Sequence, residues 1–225
     1  YDGDDLLQGG SGHDVMVGGR GDDSYIVDAP SDIVTELANE GNDTVRTTLS
    51  TFTLAANVEQ LLYTGTESFT GTGNALANVI SGSISADRLN GLSGADIMRG
   101  GAGNDTYIVE NVNDVVVETL NQGSDRVLSQ VSYVLAENIE TLQLTTSKGL
   151  DGEGNSSANT LIGNGGANIL DGRGGSDVLT GGAGNDTFKM QRGEANGDRV
   201  TDFSGAGVAG GDTLYFIGYG ADATL

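Results

Sequence analysis

A nine-residue pattern, Gly-Gly-x-Gly-x-Asp-x-U-x with U apolar, governs what this chain of 225 residues can become. It reads GGSGHDVMV from Gly9, GGRGDDSYI from Gly18, GGAGNDTYI from Gly100 and GGAGNDTFK from Gly181. Looser copies are GLSGADIMR from Gly91 and GRGGSDVLT from Gly172, and more degenerate ones begin at Gly73, Gly82, Gly154 and Gly163. A truncated first copy supplies Asp5 and Leu7, and counting nine onward from the strong copies reaches Asp32 with Val34 and Asp114 with Val116. The eighth position is apolar in all thirteen copies: Leu7, Met16, Tyr25, Val34, Ile80, Leu89, Met98, Tyr107, Val116, Leu161, Leu170, Leu179 and Phe188. With apolar residues at 36% of the chain, chance would give that roughly once in a million trials. The period is structural.

A longer repeat of about 81 residues contains the short one: Gly100 to Ile108 returns almost unchanged from Gly181. The sequence divides into three nonapeptide blocks (1–26, 73–108 and 154–189), two spacers (27–72 and 109–153) and a flank (190–225). The spacers match each other and are rich in Val, Thr, Leu and Ile, with the alternation of half-buried strands. Leu142 and Leu144 face one way with Gln143 between them, and Leu61, Leu62 and Tyr63 hold the matching places. The chain opens on Tyr-Asp-Gly inside a repeat, as expected of a piece of something longer.

The period predicts a turn of six residues followed by a strand of three, with the middle strand residue pointing inward. Glycine permits the turn, and its frequency (38 residues) disfavours helix. A three-residue strand buries nothing alone, so the repeats must stack. Two nonapeptides per coil give two facing strands, with coils about 4.8 Å apart. Stacking also lays carboxylate over carboxylate. One inward side chain in nine does not offset both that repulsion and the entropy of ordering a glycine-rich turn. The metal-free coil should therefore not hold, and a hard cation between coils reverses the balance.

Net charge of −22 from 32 acidic and 10 basic residues argues against nucleic acid and anionic membranes as partners. There is no cysteine, which excludes disulfides and thiolate zinc sites. No apolar run approaches a membrane span, and no basic-then-apolar signal opens the chain. Zinc and copper want His or Cys, and the single histidine, His13, holds a variable turn position. Magnesium keeps its waters, whereas calcium takes six to eight oxygens, which Asp carboxylates and turn carbonyls can supply. A paired-carboxylate catalytic site is disfavoured because the acids recur at one position of every repeat. The Gly-x-Gly runs open no helix of a βαβ unit, so they are not dinucleotide loops.

The nonapeptides resemble the RTX (repeats-in-toxin) calcium-binding β-roll. That resemblance implies an all-β, right-handed parallel β-roll or β-helix, with the segment after residue 190, which contains GDRVTDF and GDTLYF, as a C-terminal cap. It implies ions between turns of copy n and copy n+2, roughly four to eight in all. Carried over, the side-chain ligands are Asp5 with Asp23, Asp14 with Asp32, Asp87 with Asp105, Asp96 with Asp114, Asp186 with Asn168, and Asp177. The carbonyl ligands come from Gly9, Gly10, Ser11 and Gly12; Gly18, Gly19, Arg20 and Gly21; Gly91, Ser93 and Gly94; Gly100, Gly101, Ala102 and Gly103; Gly172 and Gly174; and Gly181, Gly182, Ala183 and Gly184. Asn78, Asn159 and Asn168 depart from the pattern with neutral amides, and Asp32 and Asp114 sit in turns without glycine.

The resemblance further implies export through type I secretion machinery of a Gram-negative bacterium, unfolded, with folding on contact with extracellular calcium. Three functions remain open on sequence grounds. The chain is a calcium-driven folding and export module of a larger enzyme or toxin, without catalysis of its own; or a structural or adhesive segment of a cell-surface, S-layer-like protein; or, last, a β-helix that binds or modifies polysaccharide.

Overall fold

The computed structural model of the chain describes residues 2–205 and 210–219. Tyr1 of the first block, and 206–209 and 220–225 of the expected cap, lie outside the described residues. The chain forms two compact units, Tyr1–Gly123 and Ser124–Leu225. Among the described residues there is no helix, and none long and apolar enough to cross a membrane.

The first unit contains β1 (Leu6–Gln8), β2 (Val15–Val17), β3 (Ser24–Val27), β4 (Ile33–Thr35), β5 (Thr44–Thr47), β6 (Thr51–Thr53), β7 (Gln60–Tyr63), β8 (Thr70–Thr72), β9 (Val79–Ser81), β10 (Arg88–Asn90), β11 (Ile97–Arg99), β12 (Thr106–Val109) and β13 (Val115–Val116). Its strands alternate between two faces of a solenoid. One face is the sheet β1-β3-β5-β7-β9-β11-β13; the other carries the pair β2-β4 and the run β6-β8-β10-β12. The second unit contains β14 (Arg126–Ser129), β15 (Tyr133–Val134), β16 (Thr141–Leu144), β17 (Asp151–Glu153), β18 (Thr160–Ile162), β19 (Ile169–Asp171), β20 (Val178–Thr180), β21 (Thr187–Gln191), β22 (Arg199–Val200) and β23 (Thr213–Ile217). It is built in the same way from β14-β16-β18-β20-β22 and β15-β17-β19-β21-β23. Every pairing described within either unit is parallel, so the fold is the expected all-β parallel solenoid.

The nonapeptides set both register and core. Leu7 lies beside Tyr25, Met16 beside Val34, Leu89 beside Tyr107 and Leu161 beside Leu179, eighteen residues apart in each case. Twelve of the thirteen eighth-position side chains are buried, and Leu7, on the outermost strand, is half-buried.

The spacers are coils of the same solenoid, of uneven length. Tyr25 pairs with Val45, Val45 with Leu61 and Leu61 with Ile80, so successive coils take twenty, sixteen and nineteen residues. In the second unit, Val127 pairs with Leu142 and Leu142 with Leu161. Leu61 and Tyr63 point inward, as do Leu142 and Leu144. At two inward slots the apolar pattern lapses. Gly71 leaves room for Phe69, whose ring stacks on Tyr63 at 4.4 Å, and Gly152 lies against Leu142 and Leu170. The terminal flank adds β22 beside β20 and β23 beside β21.

The inward column should dominate stability in the calcium-loaded chain. Leu89→Ala, at a fully buried site, should cost about 2–5 kcal/mol. Val15→Ala, on β2 and 62% exposed, should fall within about 0.5 kcal/mol of wild type. Chemical denaturation in saturating calcium measures both.

Candidate metal centre

The sixth-position side chains form a ladder up the solenoid. One oxygen of most of the aspartates among them accepts the backbone amide of the equivalent residue one coil earlier. Asp23 takes the amide of Asp5 at 2.8 Å, Asp32 that of Asp14 at 3.3 Å, and Asp105 that of Asp87 at 2.7 Å. Asp114 takes that of Asp96 at 3.1 Å and Asp186 that of Asn168 at 2.8 Å. Every pair expected from the sequence is thus adjacent in space. Asp177, for which the sequence offered no clear partner, takes the amide of Asn159 at 2.7 Å.

The ladder extends beyond the nonapeptides through acids that the period of nine does not reach. Asp43 accepts the amide of Asp23 at 2.8 Å and Glu59 that of Asp43 at 2.8 Å. In the second unit Asp198 accepts the amide of Asp177 at 3.0 Å and Asp212 that of Asp186 at 2.9 Å. Their signal was an acid followed by strand-forming residues (GNDTV, GDRVT, GDTLY), displaced from the period because the intervening coils are longer or shorter than eighteen residues.

What the second side-chain oxygen does depends on the turn. In one kind of turn the second residue has left-handed backbone: Gly10, Gly19, Gly101 and Gly182, with Leu92 and Arg173 in the looser copies. Their φ values run from 61° to 100°, a region that non-glycine residues enter only at a cost. The second-position amide then does not meet the acid. In these turns Oδ2 of Asp14, Asp23, Asp96, Asp177 and Asp186 is buried with no hydrogen-bond donor, and Asp5 Oδ2 is in the same position. The first glycine is required here for a different reason. A Cβ at Gly9, Gly18, Gly91, Gly172 or Gly181 would overlap the carboxylate of its own turn.

In the other kind the second residue is not left-handed, and its amide closes on the side chain. Ser83 N–H donates to Asp87 Oδ2 at 2.6 Å, and Glu110 N–H to Asp114 Oδ2 at 3.2 Å. Asp32 Oδ2 is similarly taken by the Ala29 amide at 3.1 Å. The three asparagines close both ends. Asn78 accepts from Asn74, Asn159 from Asn155 and Asn168 from Asn164, at 2.7–2.8 Å. Their amide nitrogens donate to carbonyls one coil earlier, of Val58, Ile139 and Leu150, at 3.0–3.1 Å. His13 is exposed and contacts the Ser31 carbonyl.

A buried carboxylate oxygen with no donor is costly in an apolar environment, and a cation held between coils would satisfy several of them at once. A hard divalent ion with oxygen preference fits: the donors are carboxylates and turn carbonyls, with no nitrogen or sulfur among them. Burial, followed in smaller measure by neighbouring acids, pushes the Asp96 and Asp177 carboxyls up to about 6 and also raises Asp186. Burial works against Asp212 too, but the amides of Asp186 and Ser204 outweigh it and hold that carboxyl low.

A family profile described as the RTX calcium-binding nonapeptide repeat (4 copies) matches residues 1–28, 72–107 and 153–188. The three blocks are RTX repeats. RTX repeats bind calcium in a β-roll, which agrees with the solenoid and with its column of carboxylates. Over 81 residues, 36% of the chain, it is 43% identical to endo-1,3-1,4-beta-glycanase ExsH of Rhizobium meliloti (strain 1021). It is 40% identical over the same length to endo-1,3-1,4-beta-glycanase EglC of that organism. The match spans 17% of each of these relatives.

The raised carboxyls set a pH dependence. Without metal, the folded chain holds protons on Asp96 and Asp177 between about pH 4 and pH 6 that the unfolded chain has released. Folded stability must then fall as pH rises through that window. In chelator, acidification from neutrality towards pH 4.5 should increase structure, whereas in calcium it should decrease stability as protons displace the ion. Circular dichroism at both pH values, with and without chelator, reads out the opposite directions.

Proposed function

We propose that the chain is a calcium-driven folding module of a larger exported protein. The observation that supports this best is the row of buried, donor-less carboxylate oxygens in the left-handed turns. Such a column is strongly destabilised without cations and closed by them. In a cytosol poor in free calcium the chain would remain unfolded and able to thread through type I secretion machinery. Outside a Gram-negative cell, millimolar calcium would collapse it into the roll. Freedom from cysteine suits that route, since no thiol has to be oxidised after export.

On this reading the ions sit at the left-handed turns, with Asp5, Asp14, Asp23, Asp96, Asp105, Asp177 and Asp186 as side-chain ligands and the turn glycines as carbonyl donors. The closed turns of Asp32, Asp87 and Asp114, and the asparagine turns including Asn168, hold themselves without an ion. The flank carrying β22 and β23 serves as the cap over the last nonapeptide coil. The catalytic work, if the parent is an enzyme, lies elsewhere in that protein. The two relatives carry glycanase names, which favours an exported enzyme over a purely adhesive array as the parent.

Circular dichroism across a calcium titration tests this. The chain should be disordered in chelator and gain β signal cooperatively at roughly 0.1–1 mM calcium, the range of extracellular modules; an unchanged β spectrum in chelator refutes metal-driven folding. Asp96→Asn should shift the midpoint to higher calcium. Asp87→Asn, in a closed turn, should leave the midpoint within about twofold of wild type.

A further inference from the structure

Three acids of the first unit converge where block one meets its spacer. Asp23 belongs to the last strong nonapeptide, while Glu36 and Asp43 come from the segment between β4 and β5. Each offers a carboxylate oxygen within 4.8 Å of the other two. The residues are 1%, 5% and 1% exposed respectively. On each of them the second oxygen (Asp23 Oδ2, Glu36 Oε2 and Asp43 Oδ2) is buried without a hydrogen-bond donor.

The remaining oxygens are all committed, and these commitments hold the cluster in place. Asp23 Oδ1 takes the Asp5 amide and Asp43 Oδ1 takes the Asp23 amide. The Tyr25 hydroxyl donates to Glu36 Oε1 while accepting the Gly18 amide at 2.8 Å. The Glu36 carbonyl is held by the Asn57 side-chain amide at 2.9 Å. A Cβ on Gly18 would overlap both Asp23 Oδ2 and the Tyr25 hydroxyl, which puts that donor-less oxygen on the side where Glu36 docks.

We propose that Glu36 and Asp43, which lie outside the nonapeptides, join Asp23 in one calcium site that fastens the spacer to the first block. The proposal rests on the calcium reading given above and extends it to acids outside the repeat. A proton is the competing occupant. Burial, then the Asp43, Asp23 and Glu40 charges, pushes the Glu36 carboxyl up to about 7, with the Gly19 amide acting the other way. One proton joins two oxygens and leaves the third bare, whereas one divalent ion satisfies all three and cancels two of the three charges. The hydroxyl clamp is not confined to this place: Tyr107 meets Glu118 Oε1 in the same way, and both stand 82 residues beyond Tyr25 and Glu36.

Crystals of the unaltered chain grown in calcium, with data collected at a wavelength where calcium scatters anomalously, decide the matter without a variant. A peak in contact with Asp23, Glu36 and Asp43, in addition to peaks at the other left-handed turns, is the expected result. Peaks at the turns with none at Glu36 overturn this inference alone; no peaks at either place overturn the calcium reading itself. In solution, Glu36→Gln keeps an oxygen acceptor for Tyr25 but loses the charge. It should bind one calcium fewer per chain by elemental analysis after equilibrium dialysis, and an undiminished count refutes the assignment.

Discussion

The bond from a carboxylate to the backbone amide one coil earlier organises everything else in this molecule. It fixes the vertical register of the coils, because each acid finds its amide only when the strands stack in step. It also creates the problem that the rest of the structure must solve. An aspartate that spends one oxygen on its neighbour has a second oxygen to satisfy, and burial removes water as a partner. The chain answers in two ways: either the turn's own amide bends in, or the turn is left open for a cation.

The choice is made by the backbone at the second position of the nonapeptide. Where that residue is left-handed, as at Gly19 or Gly182, its amide is unavailable and the acid needs an outside partner. Where it is Ser83 or Glu110, the amide closes the turn. Leu92 and Arg173 take up the left-handed form although neither is glycine. The left-handed backbone thus persists at two positions where side chains make it unfavourable.

Much of this could be read in the sequence. The nonapeptides gave the parallel stacking, the inward column and the pairing of Asp5 with Asp23 and of Asp96 with Asp114, because a fixed period converts directly into a fixed register. The acids Asp43, Asp198 and Asp212 were missed because their coils are not eighteen residues long, and Glu36 because it lies outside the sixth-position series. Asp43 lies twenty residues beyond Asp23, and Asp212 lies twenty-six beyond Asp186. Gly71 and Gly152 escaped an apolar search because the neighbouring Phe69, Leu142 and Leu170 fill the space that their own side chains would take. The difference between open and closed turns was present as the identity of one residue, but its meaning depends on where an amide points, and composition does not carry that.

Asn78, Asn159 and Asn168 show how readily this architecture changes its dependence on metal. Aspartate and asparagine are isosteric, and their codons differ at a single base. Exchanging one for the other swaps an acceptor for a donor facing the coil below, and in all three asparagine turns the second residue, Asn74, Asn155 or Asn164, is not left-handed. Coils closed by an asparagine and coils with an open aspartate turn therefore stack side by side in one parallel register.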